Sequence, residues 1–129
     1  PKTWDEVMVK AYVGDGLAAD FYRELAGALP AEAQNVVSTV MAETGNSAFA
    51  RDWVRARVAG RPELRWPLTL WGRRLLGEAI THAQWVLAAE DDVADLLFAG
   101  ASTDLAAVSR FFDSVTSLHA QRMADLGLG

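Results

Sequence analysis

With 129 residues, 51% of them hydrophobic, the chain has enough apolar material for one core, and a single domain over residues 1–129 is expected. It contains no cysteine, which excludes disulfide staples, thiolate metal sites and a cysteine nucleophile; a net charge of −5 and a pI near 4.9 disfavour a polyanionic partner unless basic residues cluster. No run of about eighteen apolar residues marks a membrane span, and Pro1 to Glu6 lack a basic-then-apolar leader, so a cytoplasmic protein with no membrane association is expected.

Thr3-Trp4-Asp5-Glu6 reads as a capping box that opens a helix running to about Leu29. Pro30 resets the chain and can start a second helix, from about Ala31 to Ala59, which Gly60-Arg61-Pro62 ends. The two form an antiparallel hairpin with a very short connection. Pro67 can start a third helix to about Ala89, with Leu68, Trp71, Leu75, Ala79, His82 and Val86 at three-to-four spacing. Asp92 to Ala99 is expected as a short helix ended by Gly100, and Ser102 or Thr103 caps a last one. That helix carries Leu105, Val108, Phe111, Phe112, Val115, Leu118 and Met123 inward, then frays through Gly127-Leu128-Gly129. No segment alternates with period two. The fold class is therefore all-α, a bundle of four long helices and one short one.

Polar residues on apolar stripes carry the functional information, because an unpartnered buried carboxylate is costly. In the first helix Trp4, Met8, Tyr12, Asp15, Ala19 and Tyr22 share a face, which puts Asp15 in an apolar line. In the second, Ala33, Val36, Val40, Glu43, Asn46, Ala50 and Trp53 do the same. A hairpin turning near Pro30 sets Asp15 level with Glu43 to Asn46. A carboxylate facing Glu-x-x-His is half of a di-iron or di-manganese site in a bundle core; here the motif reads Glu43-Thr44-Gly45-Asn46, with asparagine where the imidazole would stand. Gly14, Gly16 and Gly45, costly inside helices, point to close backbone contact or distortion at this level. The ordinary alternative for Asp15 and Glu43 is a hydrogen-bonded carboxylate pair, or ion pairing with Arg73 or Arg74.

The stretch from Ala11 to Tyr22, followed by Met41-Ala42-Glu43-Thr44-Gly45-Asn46 and Leu70-Trp71-Gly72-Arg73-Arg74, resembles the ferritin-like proteins related to the tRNA hydroxylase of 2-methylthio-isopentenyl-adenosine. The likeness covers nearly the whole chain and corresponds to the C-terminal two-thirds of such a protein, whose fold begins with two further helices bearing another Glu and another Glu-x-x-His. It implies a ferritin-like fold and a non-haem di-iron centre that activates dioxygen, with Glu43 and Asn46 at ligand positions. The family's glutamate on the preceding helix falls at Gly14, leaving Asp15 beside it as a shifted substitute. Iron is thus the implied cofactor and tRNA a partner by resemblance.

Other candidates read more simply. Glu78 and His82 at i, i+4 can share a metal, though an ordinary helix contact explains them; His119 near a helix end answers the dipole. Arg51, Arg55, Arg57, Arg61 and Arg65 form a basic stretch diluted by Asp52 and Glu63, which reads as a solvated helix end. Trp53, Trp66, Trp71 and Trp85 read as packing at helix crossings. No serine elbow, triad or phosphate-cradling glycine loop is present, so no catalytic residue is assigned. Two functional hypotheses follow: an oxygen-activating di-iron enzyme with Asp15, Glu43 and Asn46 as ligands, or a non-catalytic helical module acting through self-association. A bundle without its first helix pair would expose an apolar face, and a homodimer is the expected remedy.

Overall fold

A computed structural model describes residues 1–26, 30–41, 45–89 and 105–129. These form α1 (Trp4–Ala26), α2 (Ala31–Met41), α3 (Gly45–Gly60), a 3₁₀ turn (Pro62–Leu64), α4 (Arg65–Ala89) and α5 (Leu105–Asp125), with no strand among the described residues. The all-α bundle is as the sequence predicts. The span of the expected second helix is described in two stretches, α2 and α3, on either side of residues 42–44, which lie outside the described residues, as do the expected short helix at 92–99 and its neighbouring cap at Ser102 or Thr103.

Local chemistry sets the helix ends. The Glu6 amide donates to Thr3 Oγ1 at 3.1 Å, as a capping box requires, while the Glu6 carboxylate accepts from the Lys2 amide at 2.7 Å, one residue earlier than the usual reciprocal bond. The helix α4 begins two residues before Pro67, continuing from a 3₁₀ turn in which the Leu64 amide donates to the Arg61 carbonyl at 3.0 Å. Pro67 is tolerated because first-turn amides have no intrahelical acceptor to lose.

The end of α5 departs from expectation. It does not fray: the Gly127 amide donates to the Ala124 carbonyl and the Leu128 amide to the Met123 carbonyl, both at 2.9 Å, with Gly127 at φ +80°. This pair of hydrogen bonds around a left-handed glycine is a Schellman motif, and Met123 and Leu128, the positions whose apolar contact customarily accompanies it, are both buried in the core cluster. Leu126 is fully buried beside them, and the Gly129 amide donates to Thr69 Oγ1 on α4 at 3.2 Å.

The helix α1 is the centre of the bundle, packing against α2, α3, α4 and α5, while α4 also packs on α5. The core consists of Met8, Val9, Val13 and Leu17 from α1, Ala50 and Val54 from α3, Leu68 and Leu75 from α4, and Phe111, Val115 and Met123 from α5. Gly72 of α4 lies where a Cβ would strike the Met123 side chain, so its bare backbone admits α5 to the core. Antiparallel packing of α1 and α3 is fixed by Asp5 meeting Arg57, residues almost equally distant from Pro30.

Candidate functional site

The buried face of α1 follows only part of the stripe that the sequence pattern suggests: Met8 is in the core and Tyr12 packs against it. Val9, Val13 and Leu17 line the core at four-residue spacing, whereas Trp4, Asp15 and Tyr22 are exposed. The helix is rotated by about one residue, roughly 100°, from the predicted line. Branched aliphatics take the interior, and the amphipathic aromatics keep their polar tips near water. Asp15 is therefore a surface carboxylate, and the buried carboxylates of α1 are Asp5 and Asp20.

Both are answered by arginine. Asp20, 4% exposed, receives two parallel 2.6 Å bonds from Nη1 and Nη2 of Arg122 on α5, and Arg23 approaches from one helical turn along at 3.5 Å. The bidentate geometry matches guanidinium to carboxylate and holds the Arg122 pKa above its ordinary value. Asp5 binds Nε of Arg57 through both oxygens, at 3.0 and 3.2 Å. Gly16 makes the first pair possible, since a Cβ there would overlap the Arg122 side chain. Close backbone contact or distortion is the expectation at this glycine level; at Gly16 the crowding comes instead from a side chain of α5, and at Gly14 a Cβ would meet only Lys10 at an ordinary 3.8 Å.

Near this pair Tyr12 donates to Asp125 Oδ2 at 3.1 Å, and Arg55 donates to the Asp125 carbonyl at 2.7 Å. Partial burial and then the adjacent carboxylate raise the Tyr12 pKa. His119 completes the α5 stripe Phe111-Val115-His119-Met123 and is 3% exposed, with neither ring nitrogen in a hydrogen bond of full geometry. Burial and then the neighbouring Arg122 charge lower its pKa, opposed by the Gly72 backbone and by Asp20. Sequence reasoning placed Leu118 inward and His119 at the helix end; the structure reverses them, Leu118 being 36% exposed.

Of the proposed ligand positions, Asp15 is exposed on α1, Glu43 lies outside the described residues, and Asn46 falls in the first turn of α3. Register nevertheless relates them: ten residues on from Asp5 and ten back from Arg57 bring Asp15 level with Ser47. Among the described residues no three His, Asp or Glu side chains gather as a metal-holding group; Glu43 lies outside those residues. Glu78 pairs with Arg74 at 3.0 Å, His82 stacks near Trp85, and Arg73 sits over Trp66. The two arginines considered for Asp15 and Glu43 thus make contacts within α4.

The basic stretch is largely consumed by ion pairs. Arg51 binds Asp52, Arg57 binds Asp5 and Arg61 binds Glu63, while Arg55 caps the end of α5. Among the tryptophans, Trp71 packs at a crossing and donates Nε1–H to the Glu6 carbonyl at 3.0 Å, but Trp66 and Trp85 are exposed. No helix among the described residues is long and apolar enough to cross a membrane.

A family model described as a ferritin-like domain of actinomycetes matches residues 1–100, which take in α1 to α4 and end before α5. No curated protein matches the chain. The matched span, most of the sequence, and the helical bundle agree: the chain belongs to the actinomycete ferritin-like domain family.

Proposed function

We propose that this chain is a ferritin-like scaffold module that works through self-association, with its buried α1 carboxylates devoted to ion pairing. The observation carrying this reading is the Asp20–Arg122 pair, in which both carboxylate oxygens are engaged by a guanidinium. A carboxylate so engaged serves to hold α1 to α5, and Asp5 with Arg57 does the same between α1 and α3.

The second reading is an oxygen-activating di-iron protein of the tRNA-hydroxylase-like kind. It is supported by the level of Asp15 against the start of α3 and by Glu43 and Asn46 standing where the tRNA-hydroxylase resemblance implies ligands. Asp15, Glu43 and Asn46 would hold the metal, and iron when bound would supply activation of dioxygen. Imidazole is replaced by an amide at Asn46, which weakens iron affinity.

Elemental analysis separates the two. Wild type and Glu43→Ala are compared as purified and after anaerobic reconstitution with ferrous iron, with sedimentation velocity on each. Metal-free protein that sediments as a dimer supports the scaffold. Near-stoichiometric iron that disappears in Glu43→Ala overturns it in favour of the second reading, and a metal-free monomer removes self-association.

A further inference from the structure

His119 is the one group in the core cluster of α5 that can change its charge near neutral pH, and its surroundings are arranged so that the charge matters. On α5 itself the facing charge is Arg122, one turn along. From α1 it is Asp20, already bonded twice to Arg122 and approached by Arg23. From α4 it is the uncharged backbone of Gly72, while Arg73 and Arg74 are exposed. Among the described residues, a proton on His119 therefore places a second cation beside Arg122, with the facing carboxylate Asp20 already bonded to Arg122 and no hydrogen-bond acceptor of full geometry at either ring nitrogen.

We propose that His119 is a proton-operated latch that holds α5 in the bundle when neutral and releases it on mild acidification. Release exposes the α5 stripe Phe111, Val115 and Met123 and parts Arg122 from Asp20. The driving force is the water that a buried imidazolium regains once α5 swings out. The closed state is the less protonated one, so acid favours opening. One bound proton shifts the opening equilibrium by up to about tenfold per pH unit, beginning near the ordinary histidine value of 6.5 and continuing until the docked imidazole itself titrates.

Amide hydrogen exchange read by mass spectrometry tests this between pH 7.5 and 4, with rates corrected for intrinsic exchange. In wild type, α5 protection should fall from about pH 6.5 while α3 keeps its own; in His119→Phe and His119→Gln it should stay flat down to the carboxylate range. Two results would overturn the latch. One is α5 protection that in wild type stays constant down to the ordinary carboxylate range, where loss of carboxylate charge rather than a proton on His119 explains the change. The other is the wild-type acid response persisting in whichever of the two variants folds. Wild type alone decides the onset, so the proposal stands or falls even if both variants fail to fold.

Discussion

Replacing Gly16 by alanine should destabilise the protein, against the usual direction for a helical glycine. Helix propensity alone favours alanine by about 1 kcal/mol. The new Cβ, however, would occupy the space of Cδ, Nε and Cζ of Arg122. Arginine is flexible, yet this one is held by two 2.6 Å bonds to Asp20, so relieving the overlap means breaking them. Stranding a buried carboxylate costs about 3–5 kcal/mol. Arg23, with its side chain 56% exposed, recovers little, since exposed pairs contribute only about 0–1 kcal/mol. The net expectation is a loss of roughly 2–4 kcal/mol, measured by urea denaturation followed by far-UV circular dichroism. The same substitution in an Asp20→Ala/Arg122→Ala background should stabilise by about 1 kcal/mol, because the obstacle and the stranded charge are both gone. Stabilisation by Gly16→Ala in the wild-type background, or equal effects in both, would refute the assignment of Gly16 as the passage for Arg122.

Two further outcomes are expected on the same assay. Arg122→Ala alone should cost about 3–5 kcal/mol, and adding Asp20→Ala should restore much of it, since the damage lies in the orphaned carboxylate rather than in the lost bond; a double variant less stable than the single would contradict this. Leu128→Ala should cost about 2 kcal/mol on the same assay although it lies past the end of α5, because the side chain is buried in the core cluster; a loss under about 0.5 kcal/mol would contradict this.

The sequence makes the helices legible but not their rotation. Capping chemistry at Thr3 and Glu6, and Pro62 and Pro67 around the start of α4, are local signals that locate the boundaries within a residue or two. The phase of an apolar stripe is a different matter. In α1 apolar residues nearly surround the helix, so the line through Trp4, Tyr12 and Asp15 competes with that through Val9, Val13 and Leu17, and shape decides for the branched aliphatics. The same ambiguity exchanged Leu118 and His119 in α5. Arg122 could have been suspected as a cation in the α5 stripe, yet nothing local ties it to Asp20, 102 residues away. Leu126-Gly127-Leu128 did carry a legible signal, a glycine flanked by leucines after a helix, which reads as a Schellman stop. The Asp5–Arg57 pair, 25 and 27 residues from Pro30, sets Asp15 level with Ser47, one residue beyond the Glu43 to Asn46 span that equal rise either side of Pro30 predicts.

Asp5 and Asp20 stand near opposite ends of α1, fifteen residues apart, which is roughly 22 Å of helix axis at 1.5 Å per residue. Between them lie interchangeable aliphatics, and a stripe of that kind would tolerate a slip by one turn, about 5.4 Å, with modest loss of contact. Hydrogen-bonded ion pairs to two different partners, Arg57 on α3 and Arg122 on α5, do not tolerate it. A shift that served one would unseat the other, so the axial position of α1 is indexed as a key is by two notches. The polar groups at the ends of this helix thereby select one assembly from several that hydrophobicity alone would leave nearly equivalent.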